Sequence, residues 1–391
     1  MIPFVFHSPT RYVFGPEAEN EAGAQAKALD IASVLIVYGQ GSAVRSGLLG
    51  RVKASLEASG IKTGELSGIV PNPLSGPVYE GIRLACQMQA DAVLGLGGAS
   101  AMDTAKAIAV GVPYAGDFWD FYSGKGAPEQ ALKLIAVPTL SAAGSEGSNS
   151  SVITHEKVAL KRGLRSPLIR PQLSLMNPAL TFTVPREQKA NGAADILSHI
   201  FERYFTNTRD VALTDALGEA LMRQVIRSAP ITLKKPEDYA SHADIMWAGT
   251  LAHNDTVGVG RQQDWSSHAI SYAISTRFGA AHGAALAVLF PSWMEEQLPH
   301  DPARFAQFAV NVMGVPNNFQ DQAATGLEGI RLLRAFFNSL GLPESLKAFG
   351  IQEKDLPQLA DEAAYNPDGK IGFFNPLDRD MVLSIYRRAM T

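Results

Sequence analysis

DAVLGLGGASAMDTAKAIAVGV, residues 91–112, changes its grammar at Gly97-Gly98. Before the glycines runs a short, unbroken apolar segment of the length of one buried strand; after them small and apolar residues recur at helical spacing. Strand, glycine turn and helix form the first half of a βαβ unit. The same order recurs in SVLIVYG (33–39) followed by SGLLGRVKASLEASG (46–60), and another apolar run, KLIAVPT, covers 133–139. Repeated βαβ order predicts a parallel sheet covered by helices.

Beyond about residue 180 the pattern becomes almost wholly helical. REQKANGAADILSHIFERYF, VALTDALGEALMRQVIRSAPITL, HADIMWAGTLAHN, DWSSHAISYAIS, AALAVLFPSWMEEQL, GIRLLRAFFNSL and DMVLSIYRRAM all carry apolar residues with a period near 3.6. NPALTFTVP, residues 177–185, breaks both patterns. The expected organisation is an α/β domain over 1–180 and an all-helical domain over 181–391, with function expected in the cleft where two such domains meet.

Composition bounds the partners. The chain has 391 residues, 46% hydrophobic and 18% charged, enough apolar material to fill the cores of more than one domain. A net charge of -4 gives no basic footprint for nucleic acid or an anionic membrane. No stretch approaches the roughly twenty apolar residues of a membrane span, and the opening MIPFVFHSPTRYVFG lacks the pattern of a secretion signal. The one cysteine, Cys86, cannot form an internal disulfide. These features fit a reducing cytoplasm.

Chemistry enters at two kinds of place. In the first half, Gly97 and Gly98 let backbone approach a ligand closely, and the helix that follows offers amides to a diphosphate. Ser100 is expected to cap that helix, with Asp103 completing a capping box. A second small-residue loop, Pro138–Ser148, follows another strand and adds hydroxyl and amide donors. Glycine turns also serve packing alone, so either loop by itself says little; two in one α/β half say more.

In the second half, Asp195 and His199 stand four residues apart and would share one face of a helix, while His268 and His282 are fourteen apart. Fourteen residues span almost four helical turns, too far for one straight helix to bring both imidazoles to one ion. A break at Phe278-Gly279-Ala280-Ala281 would bring them together. A lone histidine is more often packed in a core than bound to a metal. One carboxylate with three imidazoles, however, suits Fe(II), Zn(II) or a similar divalent ion and can leave a position open for a substrate oxygen.

GGASAMDTAK (97–106), PTLSAAGSEGSNSSVIT (138–154), NPALTFTVP (177–185), ADILSHIFE (194–202) and DWSSHAISYAISTRFGAAHGAALAVLFP (264–291) together resemble the iron-containing, or group III, alcohol dehydrogenases, most closely the butanol dehydrogenase-like, NADPH-dependent aldehyde reductase branch. The resemblance runs from about Phe4 to Ile385. It implies a Rossmann-like dinucleotide-binding domain followed by an all-helical metal-binding domain, the dehydroquinate synthase-like plan, and a homodimer acting on a small alcohol or aldehyde. Carried over by position, Asp195, His199, His268 and His282 would bind the metal. Gly97, Gly98 and Ser100 would bind the diphosphate. Asn72 would lie near ribose and phosphate, Thr139 and Ser148 would line the adenine and nicotinamide sides, and Lys161 would reach the cofactor.

Two departures from the family pattern matter. NAD-preferring relatives carry an acid after the first strand, where it can accept from a ribose hydroxyl; here that place is Gly39, and Ser42 follows. An acid would repel a 2'-phosphate, so NADP(H) is expected over NAD(H). Many relatives also carry a further histidine four residues after the third ligand, assigned to proton relay. This chain has Tyr272, a poorer proton donor near neutral pH unless its environment shifts it. Three alternatives remain open: a polyol or glycerol dehydrogenase of the same superfamily, a cyclase of the dehydroquinate synthase type, and a catalytically weak binder of metal and nucleotide. The cyclase would favour a glutamate and two histidines, which the residues here do not offer.

Overall fold

The computed structural model describes residues 1–158 and 160–391. They form two compact units, His7–Val184 and Pro185–Thr391, and Met1–Phe6 packs with the second. There the Met1 ammonium donates to the Arg209 carbonyl at 3.0 Å and the Ile2 amide to that of Gly260 at 2.9 Å.

The first unit is built on strands β1 (Arg11–Phe14), β2 (Ser33–Gly39), β3 (Lys62–Ile69), β4 (Ala92–Gly97), β5 (Lys133–Pro138) and β8 (Leu173–Met176). They form one parallel sheet in the order β1-β8-β5-β4-β2-β3. Alternate residues go to opposite faces: Leu35, Val37 and Val93 join one buried cluster, Val34, Ile36, Ala92 and Leu94 another. Because both faces are covered, the central strands read as unbroken apolar runs. The helices Ser75–Met88 and Ala99–Gly111 pack on the first face, and Leu48–Ala58 on the second. An antiparallel hairpin, β6 (Ser150–His155) and β7 (Leu160–Arg165), lies outside the sheet.

In this sheet β2 lies between β3 and β4, so the chain leaves β2 for one neighbour and returns beside it for the other. Such a reversal opens a crevice at the carboxyl ends of the strands. Gly39 ends β2 beside Ile69 of β3, and Gly97 ends β4 beside Pro138 of β5.

The second unit is helical, as its periodicity predicts: Arg186–Tyr204, Ala212–Lys234, Tyr239–His253, Ser266–Phe278, His282–Gln297, Pro302–Asn311, Gln322–Ser339 and Arg379–Arg388 are its longer helices. Its core centres on Phe201, Phe205, Phe290, Trp293, Phe305 and Phe308, all buried. Each such side chain contributes about 1.5–3 kcal/mol on burial, which holds the helices that carry polar groups inward. Among the described residues no helix is long and apolar enough to cross a membrane.

Candidate functional site

At the carboxyl edge of the sheet the expected nucleotide-binding residues gather on four neighbouring strand ends. Gly41, at φ 123°, caps the short helix Ser42–Arg45 that leaves β2, with Ser42 exposed. Gly97 has φ 145°, a conformation side chains rarely adopt, and the Thr139 amide donates to its carbonyl at 3.0 Å. After β3, Asn72 sits in the left-handed region at φ 56°, and its Oδ1 accepts from Lys161 Nζ at 2.9 Å. The two residues are thus brought together, one from the β3 turn and one from the hairpin.

The helix after β4 departs from the expected capping. Its N-cap is Gly98, no side chain caps it, and its first residue is Ala99. Ser100 therefore lies inside the first turn, where the capping-box assignment for Ser100 and Asp103 fails. A helix start without a side-chain cap keeps its amides for another acceptor, as a diphosphate site requires. Asp103 instead faces inward: Oδ1 accepts from Ser145 Oγ at 2.7 Å and Oδ2 from the Val152 amide at 3.0 Å. Burial raises its pKa, against the pull of nearby Lys106.

Lys106, which the sequence reading passed over, is 1% exposed. Its Nζ donates to Ser145 Oγ (2.9 Å), Ser148 O and Oγ (both 3.1 Å) and Ser150 O (2.8 Å). Burial pushes it down to about 8. The Ser148 hydroxyl is fully buried and accepts from this ammonium. A lysine three residues after Asp103, in a helix made mostly of small and apolar residues, was the signal that could have found it. Together Asp103 and Lys106 fix the loop that follows β5.

The candidate metal centre lies in the helical unit. Asp195 and His199 are one turn apart on Arg186–Tyr204, both buried. Ser266–Phe278 carries His268 and ends at Gly279, left-handed at φ 66°; three residues later His282 opens the next helix. The expected break is therefore where the glycine permits it. Close helix packing aims His282: a Cβ on Gly283 would lie 2.0 Å from the Asn191 carbonyl oxygen, one turn before Asp195. Only glycine allows that approach.

Asp195 Oδ1 lies 3.8 Å from His199 Nε2, 4.0 Å from His268 Nε2 and 3.8 Å from His282 Nε2. Ligands about 2.1 Å from one ion stand at most about 4.2 Å apart, so each separation fits a shared cation. Asp195, His268 and His282 set their ligand atoms within 4.8 Å of one another, a mutual set that His199 does not join. Burial, with the neighbouring His253, His268, Arg203 and His282, holds His199 well below the usual imidazole range, so the ring is neutral and able to ligate. Its Asp195 and His268 companions are also buried, whereas His282 is 28% exposed at the side chain, which makes that the open rim.

Outer groups steady two of the rings. Glu202 Oε1 meets His268 Nδ1 at 2.8 Å, and Ser271 Oγ lies 3.4 Å from His282 Nδ1. Burial pushes Glu202 up to about 8, although the amides of His268, Trp265 and Ser267 and the Arg203 guanidinium favour its charge. Tyr272 stacks beside His282, ring centres 6.2 Å apart. Trp265 is left-handed at φ 67°, sits edge-on to His268 at 5.1 Å and takes the Arg203 guanidinium over its ring at 4.7 Å. Trp119 and Phe121 pack in an aromatic cluster of the first unit, with Tyr122 and Tyr114 beside them. His253, unremarked in the sequence, lies with its ring centre 4.1 Å from that of His199.

Known proteins resemble this chain over nearly its full length. The model of the iron-containing alcohol dehydrogenase family matches residues 9–178, and that of the family's C-terminal part matches 189–390. An NADH-dependent butanol dehydrogenase A of Clostridium acetobutylicum is 37% identical, with all of both chains covered. An NADPH-dependent aldehyde reductase of Escherichia coli is 30% identical over 99% of each. The crystal structure of an NADH-dependent butanol dehydrogenase A from Thermotoga maritima superposes with a TM-score of 0.95 at 36% identity, covering 100% of this chain and 99% of that one.

Proposed function

The chain belongs to the iron-containing alcohol dehydrogenase family, and from that premise we propose that it interconverts a small aldehyde and its alcohol with NADP(H) and one divalent ion, Fe2+ or Zn2+. The observation that carries the reading is the convergence of three imidazole nitrogens within 3.8–4.0 Å of one Asp195 oxygen. When bound, such an ion supplies Lewis acidity toward an alcohol or aldehyde oxygen, and the nicotinamide supplies or takes the hydride.

The protein's own groups do the rest. Asp195, His199, His268 and His282 hold the ion, and the partly exposed His282 leaves its side open to substrate. Tyr272, next to that open side, is the group whose Oη gives a proton to the product oxygen in reduction and takes it in oxidation. Gly97, Gly98 and Ser100 receive the diphosphate, while Asn72, Thr139 and Lys161 bind along the rest of the dinucleotide. Asp103, Lys106 and Ser148 shape the loop beneath it.

Preference for NADP(H) rests on Gly39, which brings no acid to the end of β2, on the exposed Ser42, and on Arg45, whose Nη1 lies 3.2 Å from where a Gly41 Cβ would stand. Relatives bear both NADH and NADPH in their names, so the support is local to this loop. The test is absorbance at 340 nm, with metal-loaded protein, NADPH and NADH side by side and a panel of short aldehydes. Chelator-sensitive oxidation faster with NADPH supports the proposal; faster oxidation of NADH refutes the cofactor preference, and no oxidation of either refutes the activity.

A further inference from the structure

We propose that His253 is a positioning residue for the metal centre, holding the His199 ring by stacking where hydrogen bonds hold the other two imidazoles. The proposal rests on the reading of His199 as a ligand. A ligating imidazole usually donates its far N–H to a fixed acceptor, which sets the tautomer and the ring's rotation. His268 has Glu202 for this at 2.8 Å, and His282 has Ser271 at 3.4 Å. His199 Nδ1 is buried and without a hydrogen-bond partner.

Flat rings surround it instead. His253 lies 4.1 Å away, centre to centre, at 27°, and His268 lies 4.9 Å away at 17°. His253 is in turn backed by Trp265, whose ring centre is 5.7 Å away. Stacked aromatic pairs at such separations resist rotation of either ring. His253 also ends its helix, Tyr239–His253, so its backbone is fixed from one side by regular structure.

The experiment is chelator competition for Co2+ or Zn2+ by metal-depleted full-length wild type, His253→Ala, His253→Phe and His199→Ala, with thermal melts of the same metal-free samples. His253→Ala is expected to bind metal roughly tenfold more weakly, within the range seen when outer supports of metal ligands are lost, and to alter the visible spectrum of the Co2+ form. His253→Phe, which keeps a flat ring, is expected within about threefold of wild type. If alanine prevents folding, His253→Gln, polar but unable to stack, takes its place and must be as weak. Wild-type affinity in His253→Ala, or a phenylalanine variant as weak as alanine, overturns the stacking role while His199→Ala still loses metal. Wild-type affinity in His199→Ala overturns the ligand reading itself.

Discussion

His268 and Glu202 are joined twice: Oε1 of the glutamate lies 2.8 Å from the ring Nδ1 of His268 and accepts the backbone amide of the same residue at 3.0 Å. One buried oxygen thus fixes both the ring and the start of the helix that carries it. With Nδ1 turned to Glu202, Nε2 is left to face Asp195, as a metal ligand must be. Glu202→Gln keeps the volume but replaces the carboxyl partner of the ring with an amide, so metal affinity should fall about 10- to 100-fold, measured by chelator competition. Unchanged affinity would mean the ring needs no such partner.

Gly283→Ala tests how His282 is aimed. The added methyl would stand 2.0 Å from the Asn191 carbonyl oxygen, which forces the two helices apart. We expect a loss of about 1–3 kcal/mol in thermal or denaturant stability from overpacking, with metal content falling alongside it. Full metal occupancy at wild-type stability would show that the helices yield without cost.

Lys106→Met should loosen the loop that follows β5. The substitution removes a buried ammonium that serves four acceptors and leaves Asp103 buried without its cation. Breaking such a network costs about 3–5 kcal/mol, and dinucleotide affinity read by cofactor fluorescence should drop at least about tenfold. Retained affinity in a destabilised but folded variant would separate the loop from the cofactor.

Asp264 gives a pH signature. It is buried, its Oδ1 accepts the Phe373 and Phe374 amides at 2.6 and 2.8 Å, and burial pushes it from 3.8 up to about 6. Between these values the unfolded chain has lost a proton that the folded chain keeps, so this group's contribution to stability falls as pH rises through the window and is constant above it. Wild type and Asp264→Asn, compared by denaturant melts of metal-free protein from about pH 4 to 7, should differ by a margin that shrinks with rising pH, by at most about 3 kcal/mol. A margin independent of pH would contradict the shift.

Tyr272→Phe should spare metal binding, since the ring beside His282 is kept. Its turnover should fall about 100-fold or more if the hydroxyl moves the proton, with the loss in kcat. Full turnover would remove Tyr272 from the mechanism.

Much of this was legible in the chain. β2 was read to the residue and β4 and β5 nearly so, because strands covered on both faces leave continuous apolar runs. The others gave weaker signals. β3 buries only Leu66 and Ile69, β1 and β8 have four residues each, and the hairpin strands are largely polar. The one-turn spacing of Asp195 and His199 on a helix was legible, and so was the break at Gly279 that sets His282 at the start of the next. His253 did not, because its relation to His199 is made by the crossing of two helices and not by any spacing within one. Ser100 misled for a local reason: the helix begins two residues earlier than a capping hydroxyl at Ser100 requires.

The measurement that bears most directly on the central claim is turnover against added divalent ion, titrated into metal-free wild type, Asp195→Ala and His268→Ala with NADPH and a short aldehyde. The account predicts that wild-type activity rises to a plateau at one ion per chain and that neither variant binds or responds. Activity in metal-free wild type, or a full response in both variants, would contradict it.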